Sequence, residues 1–334
     1  MRVIILIILL SANSFAFSSD WISPIDIKYK QKNLNLFSKF DITRDLVNSW
    51  HGQGEKLILA DKLLREILEE DPKFAPAYRE YGRLYIMAGY VNSNNFKEGS
   101  LSLSEKSILK SIEIEPKYAD AYVLLGHLYT KMGKYEEAQS ALEKAELIGT
   151  RTSWLDLNWA DLLNEQEKYG KALQRYINVV VGKTSDRKAY LSALSGITKY
   201  YQTIGDYEKA KSFFIKQIEY EPDSAWIFGN YASFLLFSYG DIDESIENSK
   251  KALEIMNYDM GIFILACALY TKWAIFLDTP SKQNDAQKHF DQAWSIYPHL
   301  YEVIEQTKTY KYTKITAKKL QDLLEKKQGA VKVL

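Results

Sequence analysis

Residues 119–150 read ADAYVLLGHLYTKMGKYEEAQSALEKAELIGT, and this stretch decides the fold of the chain. Tyr122, Leu125 and Tyr129 recur at spacings of three and four residues, so they share one face of a first helix. Gly133 suits the end of that helix, because glycine adopts the left-handed backbone that terminates many helices. A second run of apolar residues at helical spacing follows the turn. The stretch therefore predicts two amphipathic helices joined as a hairpin.

The same hairpin recurs from about residue 55 to residue 298. Its marker is a small residue on the inward side of the second helix, where the two helices cross closely. Twelve residues after the marker the helix ends, at a proline in four of the seven hairpins, because proline cannot continue a helix. The markers, 34 to 44 residues apart, are Ala60, Ser104, Ala138, Ala172, Ala210, Ser245 and Ala286. A helical hairpin repeated at this period predicts an α-solenoid, in which each hairpin packs on its neighbours.

The pattern resembles the tetratricopeptide repeat, in which an aromatic residue, Leu-Gly, Tyr and Ala occupy fixed places within about 34 residues. The best-matching hairpin has Tyr122, Leu125-Gly126, Tyr129 and Ala138 at those places. The resemblance covers about six repeats and most of the chain. It implies an all-α fold, namely an α-solenoid that forms a right-handed superhelix of antiparallel helix pairs. It also implies that the protein presents a surface to a partner and does not catalyse a reaction.

The repeat sets the boundaries of the other segments. An N-terminal arm, extended at its start and followed by a partial helix, is expected over 17–54. About six repeats fill 55–298, and capping helices with polar outer faces follow over 299–334. Insertions near 90–101 and 274–283 lengthen two of the repeats. Both insertions are rich in polar and turn-forming residues, so we expect surface loops between the two helices of each repeat.

The first 16 residues have the composition of a signal peptide. Arg2 gives a positive start, residues 3–10 are apolar, and Ala16 provides a small residue before a cleavage site that precedes Phe17. The apolar run is shorter than the roughly 20 residues that cross a bilayer as a helix. We therefore expect cleavage, export and a mature protein that does not span a membrane. The absence of an Asn-x-Ser/Thr acceptor favours a bacterial envelope, with a periplasmic or secreted location.

Composition argues against several functional classes. The 43 basic and 43 acidic residues cancel, whereas a nucleic-acid-binding domain needs a basic face. The four histidines lack metal-ligand spacing, and no phosphate-binding loop or nucleophile motif occurs. We therefore expect no enzyme activity, no cofactor and no metal. The single cysteine, Cys267, excludes an internal disulfide and falls at a small-residue place of its repeat, which predicts a buried packing role.

The resemblance also places candidate binding residues on the first helix of each hairpin, here named the A helix. In tetratricopeptide solenoids the A helices line a concave groove, and fixed positions on them face the ligand. Carried onto this sequence, those positions give Arg79, Arg83, His127, Lys131, Trp154, Asn158, Asp161, Lys199, Trp226 and Asn230. The pairs Trp154/Asn158 and Trp226/Asn230 share one spacing, which places the two side chains of each pair on one helix face. An asparagine side chain there can both donate to and accept from a peptide backbone.

These residues also have a plain structural interpretation. Both tryptophans and both asparagines fit between repeats as packing or bridging groups. Arg79 and Arg83 lie one turn apart and can meet a carboxylate, although Glu80 beside them reduces the local positive charge. Neither interpretation is excluded by the sequence.

The function expected from the sequence is that of an exported scaffold, which binds a protein or peptide segment in the concave groove. One alternative is a structural subunit of a cell-envelope or secretion assembly, bound through its convex face or its N-terminal arm. Another is a glycan-binding module or an enzyme. The sequence leaves the identity of the partner and the oligomeric state open.

Overall fold

The computed structural model describes residues 21–50, 53–92 and 95–331. The expected signal peptide, residues 1–16, lies outside these residues. Helices dominate the described chain, and short turns join them. In chain order the helices are α1 Pro24–Lys32, α2 Leu34–Asn48, α3 Gly54–Glu70, α4 Ala75–Gly89, α5 Ser100–Ile114, α6 Ala119–Lys131, α7 Tyr135–Ile148, α8 Ser153–Glu165, α9 Tyr169–Val181, α10 Arg187–Thr203, α11 Tyr207–Tyr220, α12 Ala225–Phe234, α13 Ile242–Ile255, α14 Asp259–Leu277, α15 Gln283–Ile296, α16 Leu300–Thr307 and α17 Lys314–Val331.

Consecutive helices pack as hairpins, as the repeat predicts. The strongest pairs are α2 with α3, α4 with α5, α6 with α7, α8 with α9, α12 with α13, and α14 with α15. All seven marker residues, one on each second helix from α3 to α15, are buried. The all-α solenoid fold expected from the sequence is therefore confirmed.

Close crossing within a hairpin explains why small residues stand at the markers and at the facing places on the A helices. In the hairpin α6–α7, a Cβ atom on Gly126 would lie 2.6 Å from Cγ of Leu142, so only glycine permits this approach. In the hairpin α4–α5, the hydroxyl of Ser104 donates to the carbonyl of Gly82 at 2.8 Å. A serine marker thus stays small and keeps its buried polar group hydrogen-bonded.

The chain forms two compact units, Met1–Ala193 and Leu194–Leu334, with the boundary inside α10. In unit 1 the aromatic residues of α1 and α2 join the core of the first repeats. The ring of Phe74 packs against Tyr29 at 4.9 Å and against Phe40 at 5.7 Å between centroids. This aromatic cluster fixes α1 and α2 to the repeats that follow.

The N-terminal arm is helical from its first described turn, whereas the sequence led us to expect an extended start. Ser23 caps α1 through its side chain, and Pro24 occupies the first helical position, where proline is well tolerated. Asn33 ends α1 and caps α2 at once. Only Asp26 and Tyr29 are buried on α1, so the helix lacks the apolar stripe that normally reveals a helix in sequence.

The two insertions differ in structure. The first forms a small antiparallel hairpin after α4, with strand β1 Tyr90–Asn92 paired to strand β2 Asn95–Phe96. The second is largely taken up by helix, because α14 continues to Leu277 and a 3-10 turn, Pro280–Lys282, follows. The loop expected near residues 274–283 is therefore shorter than the insertion itself.

Unit 2 is built around α14, which packs against α13, α15 and α17. By length and composition α14 is the one helix in the described part of the chain that could cross a membrane. However, 61% of its apolar 18-residue stretch is buried within the protein, as in a core helix that is apolar on all sides. Cys267 lies fully buried in this helix, and burial raises the pKa of its thiol, which fits a packing role.

The C-terminal helices of unit 2 cover α14. The hydroxyl of Thr316, on α17, donates to the hydroxyl of Thr271, on α14, at 2.9 Å. Leu320 is fully buried in the same core cluster. The helix α12 ends in a π-helical turn, Leu235–Tyr239, before α13 begins.

Candidate binding faces on the A helices

The A helices of unit 1 bring the candidate residues of three repeats together. Helix α6 contacts both α4 and α8, so the three A helices lie side by side. The surface that they form is named the unit-1 A-face. Its candidate residues are Arg79 and Arg83 on α4, His127 and Lys131 on α6, and Trp154, Asn158 and Asp161 on α8.

A buried carboxylate organises the α4 part of this face. The side chain of Glu80 is fully buried and forms ion pairs with Arg79 at 3.1 Å and with Arg83 at 2.7 Å. Arg83 also donates to Oδ1 of Asn48 at 2.8 Å. A buried charge is tolerated only where ion pairs and hydrogen bonds compensate for its lost hydration. Both arginines therefore stabilise the fold by compensating the buried charge of Glu80.

Arg79 is covered by the protein itself. Its side chain is only 12% exposed, and its guanidinium lies 5.6 Å from the centre of the Tyr118 ring and 4.0 Å from Asp120. Helix α1 reaches the same region, because Asp26 accepts a hydrogen bond from the hydroxyl of Tyr118 at 2.5 Å. The sequence placed Arg79 on the ligand surface; the structure places it inside a network closed by the N-terminal helix.

His127 stands between charged groups from three A helices. Burial, reinforced by Lys131 and Arg83, lowers the pKa of His127 to about 4 despite the nearby carboxylate of Asp161. The imidazole is therefore neutral near pH 7. Its Nδ1 atom is buried and has no hydrogen-bond partner among the described residues. A buried polar atom without a partner is rare in folded proteins, which makes His127 the unusual residue at the centre of the face.

Lys131 and Asp161 lie near His127 and differ in the hydrogen bonds that their side chains make. Within the described chain Lys131 makes no ion pair or side-chain hydrogen bond with another residue. Asp161 accepts from the hydroxyl of Tyr176 at 2.9 Å, and Asn164 donates to that same hydroxyl at 2.9 Å. Burial and the charge of Asp161 raise the pKa of Tyr176. The face thus presents a free ammonium group beside a carboxylate that is held in place.

The first Trp-Asn pair is engaged by the fold. Asn158 is 5% exposed, and its Nδ2 donates to the carbonyl of Val123 on α6 at 3.0 Å. The indole N–H of Trp154 donates to Asp186 at 2.7 Å. Asn158 therefore bridges two A helices and does not face a ligand. This is the structural role that the sequence left open for it.

The second Trp-Asn pair, in unit 2, faces solvent. Trp226 is 48% exposed, and its ring packs against Tyr258 with centroids 4.8 Å apart. Asn230, one turn further along α12, is exposed and makes no side-chain hydrogen bond with any residue that the structure describes. Lys199, on α10, is exposed as well. The side-chain amide of Asn230 is therefore free, whereas that of Asn158 is hydrogen-bonded within the protein.

Two open clefts lie away from all ten candidate residues, and sequence reasoning missed both. In unit 2 a cleft of about 450 Å³ is lined by residues that include Tyr239, Asp241 and Lys272. In unit 1 a groove of about 710 Å³ is lined by α6 and α7. No group of three or more His, Cys, Asp or Glu side chains in the described chain is placed to hold a metal ion. The clefts depend on which side chains fill the spaces between helices, which spacing alone does not reveal.

Comparison with known proteins names the repeat. The tetratricopeptide repeat family matches residues 107–140 and, separately, residues 199–224. The fold is an all-α solenoid of the tetratricopeptide-repeat type. The first match contains the end of α5, all of α6 and the start of α7, and the second contains the end of α10 and all of α11. No curated protein matches the sequence.

Two solved structures share the tetratricopeptide-repeat fold of this chain. PilF of Pseudomonas aeruginosa is 18% identical, with a TM-score of 0.51, and the match covers 71% of this chain and 97% of PilF. A chain of the APC/C hetero-tetramer Cut9–Hcn1 is 15% identical, with a TM-score of 0.53, and the match covers 73% of this chain and 48% of that chain. Identities this low show the fold alone.

The tetratricopeptide matches say little about which residues bind. Of the ten candidates only His127, Lys131 and Lys199 fall within the two matched segments. The fold is therefore that of a scaffold typical of protein–protein interaction, and the choice of binding residues depends on the geometry described above.

Proposed function

We propose that the protein is an exported scaffold, periplasmic or secreted, that binds a protein or peptide segment on the unit-1 A-face. The observation that carries this proposal is Lys131, which makes no ion pair or side-chain hydrogen bond in the described chain and lies near His127 together with Arg83 and Asp161. The fold supports the proposal, because tetratricopeptide-repeat solenoids generally serve as interaction scaffolds and not as enzymes. A preformed helical face also loses little conformational freedom when it binds.

The chemistry of the face suits an extended polypeptide. Lys131 supplies hydrogen-bond donors on a flexible stem, and the neighbouring His127 is neutral near pH 7, so it adds no competing charge. Arg83 is 25% exposed and adds a guanidinium edge. Asp161 has acceptor positions beyond the one used by Tyr176. Donors and an acceptor in a row match the alternating N–H and C=O groups of a peptide backbone.

The remaining candidates take other places in the proposal. Arg79, Trp154 and Asn158 support the unit-1 A-face through their internal contacts. Trp226 and Asn230 form an exposed patch of their own in unit 2, and we propose that it contacts the partner as a second site. Tryptophan is enriched among the residues that contribute most of the binding energy at protein interfaces.

A crosslinking pull-down from the native envelope fraction tests the binding proposal. We expect wild-type protein to recover one or more protein partners, and Lys131→Glu to reduce that recovery by about tenfold, because charge reversal at a contact usually costs more than 1 kcal/mol. Since Lys131 has no internal partner, the free energy of unfolding of this variant is expected to lie within about 0.5 kcal/mol of the wild-type value.

The matched control is Lys62→Glu. Lys62 is an exposed lysine on α3, a second helix of the same unit, and no ion pair involves it within the described chain. This variant should recover the same partners as wild type. Equal recovery by Lys131→Glu and wild type would contradict the assignment of the face.

A further inference from the structure

The groove on α6 and α7 has no part in the unit-1 A-face. Its volume is about 710 Å³, and its floor consists of Tyr122, Leu125 and Tyr129 on α6. Leu147, on the α7 wall, is 81% exposed, although leucine normally gains from burial. An apolar surface is therefore open at the repeat whose sequence is the most regular.

One small residue on α7 leaves the groove open. Ala141 stands three residues after the marker Ala138, on the side of α7 that faces the groove. The same place holds Ser107 in the hairpin α4–α5, Leu63 in α2–α3 and Asn248 in α12–α13. In the three remaining hairpins it holds Arg175, Phe213 and His289, whose side chains are far larger than alanine.

The larger residues cover the A helix of their own hairpin. The guanidinium of Arg175 lies 5.2 Å from the centre of the Trp159 ring, which occupies the place of Leu125 in its repeat. Phe213 stacks on Tyr201 with centroids 5.7 Å apart. The side chain of Ala141 is too small to cover α6 in the same way.

The rim of the groove carries an excess of negative charge. Glu136, Glu137 and Glu143 line it together with Lys144, and a second lysine, Lys134, lies 5.2 Å from the centre of the Tyr129 ring and pairs with Glu105 at 3.3 Å. None of the three glutamates forms an ion pair with another residue in the described ranges. An acidic rim around an apolar floor is complementary to large apolar side chains flanked by lysine or arginine.

The groove suits a docked helix better than an extended segment. Its floor and wall are helices whose backbone groups are already paired, and Ser140 is the main neutral polar group in the lining. An extended segment would leave its own N–H and C=O groups without partners, whereas a helix satisfies them internally. The floor from Tyr122 to Tyr129 spans roughly 10 Å, which is about two helical turns.

We propose that this groove docks a basic amphipathic helix of a partner protein. Two or three large apolar side chains at helical spacing pack over Tyr122 and Tyr129, and lysine or arginine residues beside them pair with the rim glutamates. Such docking uses anchors one and two turns apart on one helix face. This surface is separate from the unit-1 A-face, so one chain can hold two segments at once.

Fluorescence anisotropy with a designed peptide tests the proposal. The probe is a fluorescein-labelled 14-residue peptide of leucine and lysine at helical spacing, used where it is monomeric; a second peptide carries glutamate in place of lysine. We expect the full-length protein to bind the basic peptide saturably. Ala141→Phe, which copies Phe213, should weaken binding by about tenfold or more by filling the groove. The pair Glu137→Lys and Glu143→Lys should weaken it similarly.

Two variants serve as controls for this experiment. Glu247→Lys changes an exposed glutamate on α13 in unit 2, and Lys62→Glu changes an exposed lysine on α3 in unit 1; both should leave the Kd of the peptide unchanged. If Ala141→Phe fails to fold, Leu147→Ser, at an exposed position, takes its place.

Several outcomes would overturn the proposal. They are an equal Kd for wild type and the groove variants, equally tight binding of the acidic peptide, or the absence of binding. Self-association that the groove variants abolish, without peptide binding, would show that a second copy occupies the groove instead.

Discussion

The asparagines Asn158 and Asn230 occupy equivalent places in two repeats and serve different purposes. Asn158 is buried and ties α8 to the carbonyl of Val123 on α6. Asn230 is exposed on α12 beside Trp226. The neighbourhood of each residue, and not its spacing, decides whether the amide is free for a ligand.

Replacement of these two asparagines separates the two roles. We expect Asn158→Ala to lower the free energy of unfolding by about 1–3 kcal/mol, because the buried carbonyl of Val123 loses its donor. Asn230→Ala should change it by less than about 0.5 kcal/mol, since the side chain is exposed. Urea denaturation followed by circular dichroism measures both values. Equal effects of the two substitutions would show that Asn158 has no bridging role.

Sequence alone locates the candidate residues on the correct helices but not their availability. Arg79 and Arg83 could be predicted to share a face of α4, and Glu80 to lie beside them. That Glu80 is fully buried, and that Asp26 and Tyr118 close over Arg79, depends on contacts between residues far apart in the chain. No local pattern carries that information.

At the scale of the hairpin, the turn that follows each A helix needs a left-handed residue. Glycine fills this place in three hairpins, with φ of +71° at Gly133, +76° at Gly205 and +96° at Gly240. In the hairpin α8–α9 the same place, five residues before the marker Ala172, is held by Glu167 with φ of +59°. A side chain in this conformation costs roughly 1–2 kcal/mol.

Exchange of residue types at this turn should shift stability in opposite directions. We expect Glu167→Gly to raise the free energy of unfolding by up to about 1 kcal/mol, the strain being partly offset by the chain entropy of glycine. Gly133→Glu should lower it by about 1 kcal/mol through the same strain. A Cβ atom on Gly133 meets no atom within 4 Å, so no steric clash adds to this effect.

Urea denaturation curves with equal m-values check both turn variants. A loss of stability in Glu167→Gly would show that the glutamate side chain contributes more than its backbone strain costs.

Among the elements, those with a strong period were predictable and those without it were not. The hairpins from α4 to α15 follow from markers and apolar stripes that the sequence displays. The segment of helix α1 was expected to be extended, because it has no apolar stripe at helical spacing. In the structure this helix buries only Asp26 and Tyr29. The strands β1 and β2 are too short to produce an alternating pattern. In both cases the element is stabilised by its tertiary contacts more than by its own periodicity.

For the molecule as a whole, the proposal of export has its own test. We expect the protein recovered from the envelope of its native host to begin at Phe17, because Ala16 fits the position before a signal-peptide cleavage site. Intact-mass analysis of the purified protein measures this directly. Ala16→Glu should block processing, since the peptidase needs a small residue there. Full-length protein in the cytosol would contradict the proposal.

The sequence by itself determined that this protein folds as an all-α solenoid, and where its helical hairpins lie. That information is local, because helix periodicity, small crossing residues and turn glycines act within about 34 residues. Only the tertiary structure decided which surfaces are free. Asp26 and Tyr118, which are 92 residues apart, close over Arg79, and Ala141 lines a groove at a place that large side chains occupy in three other hairpins. Availability for binding is set by neighbours in space, so the spacing of residues along the chain could not predict it.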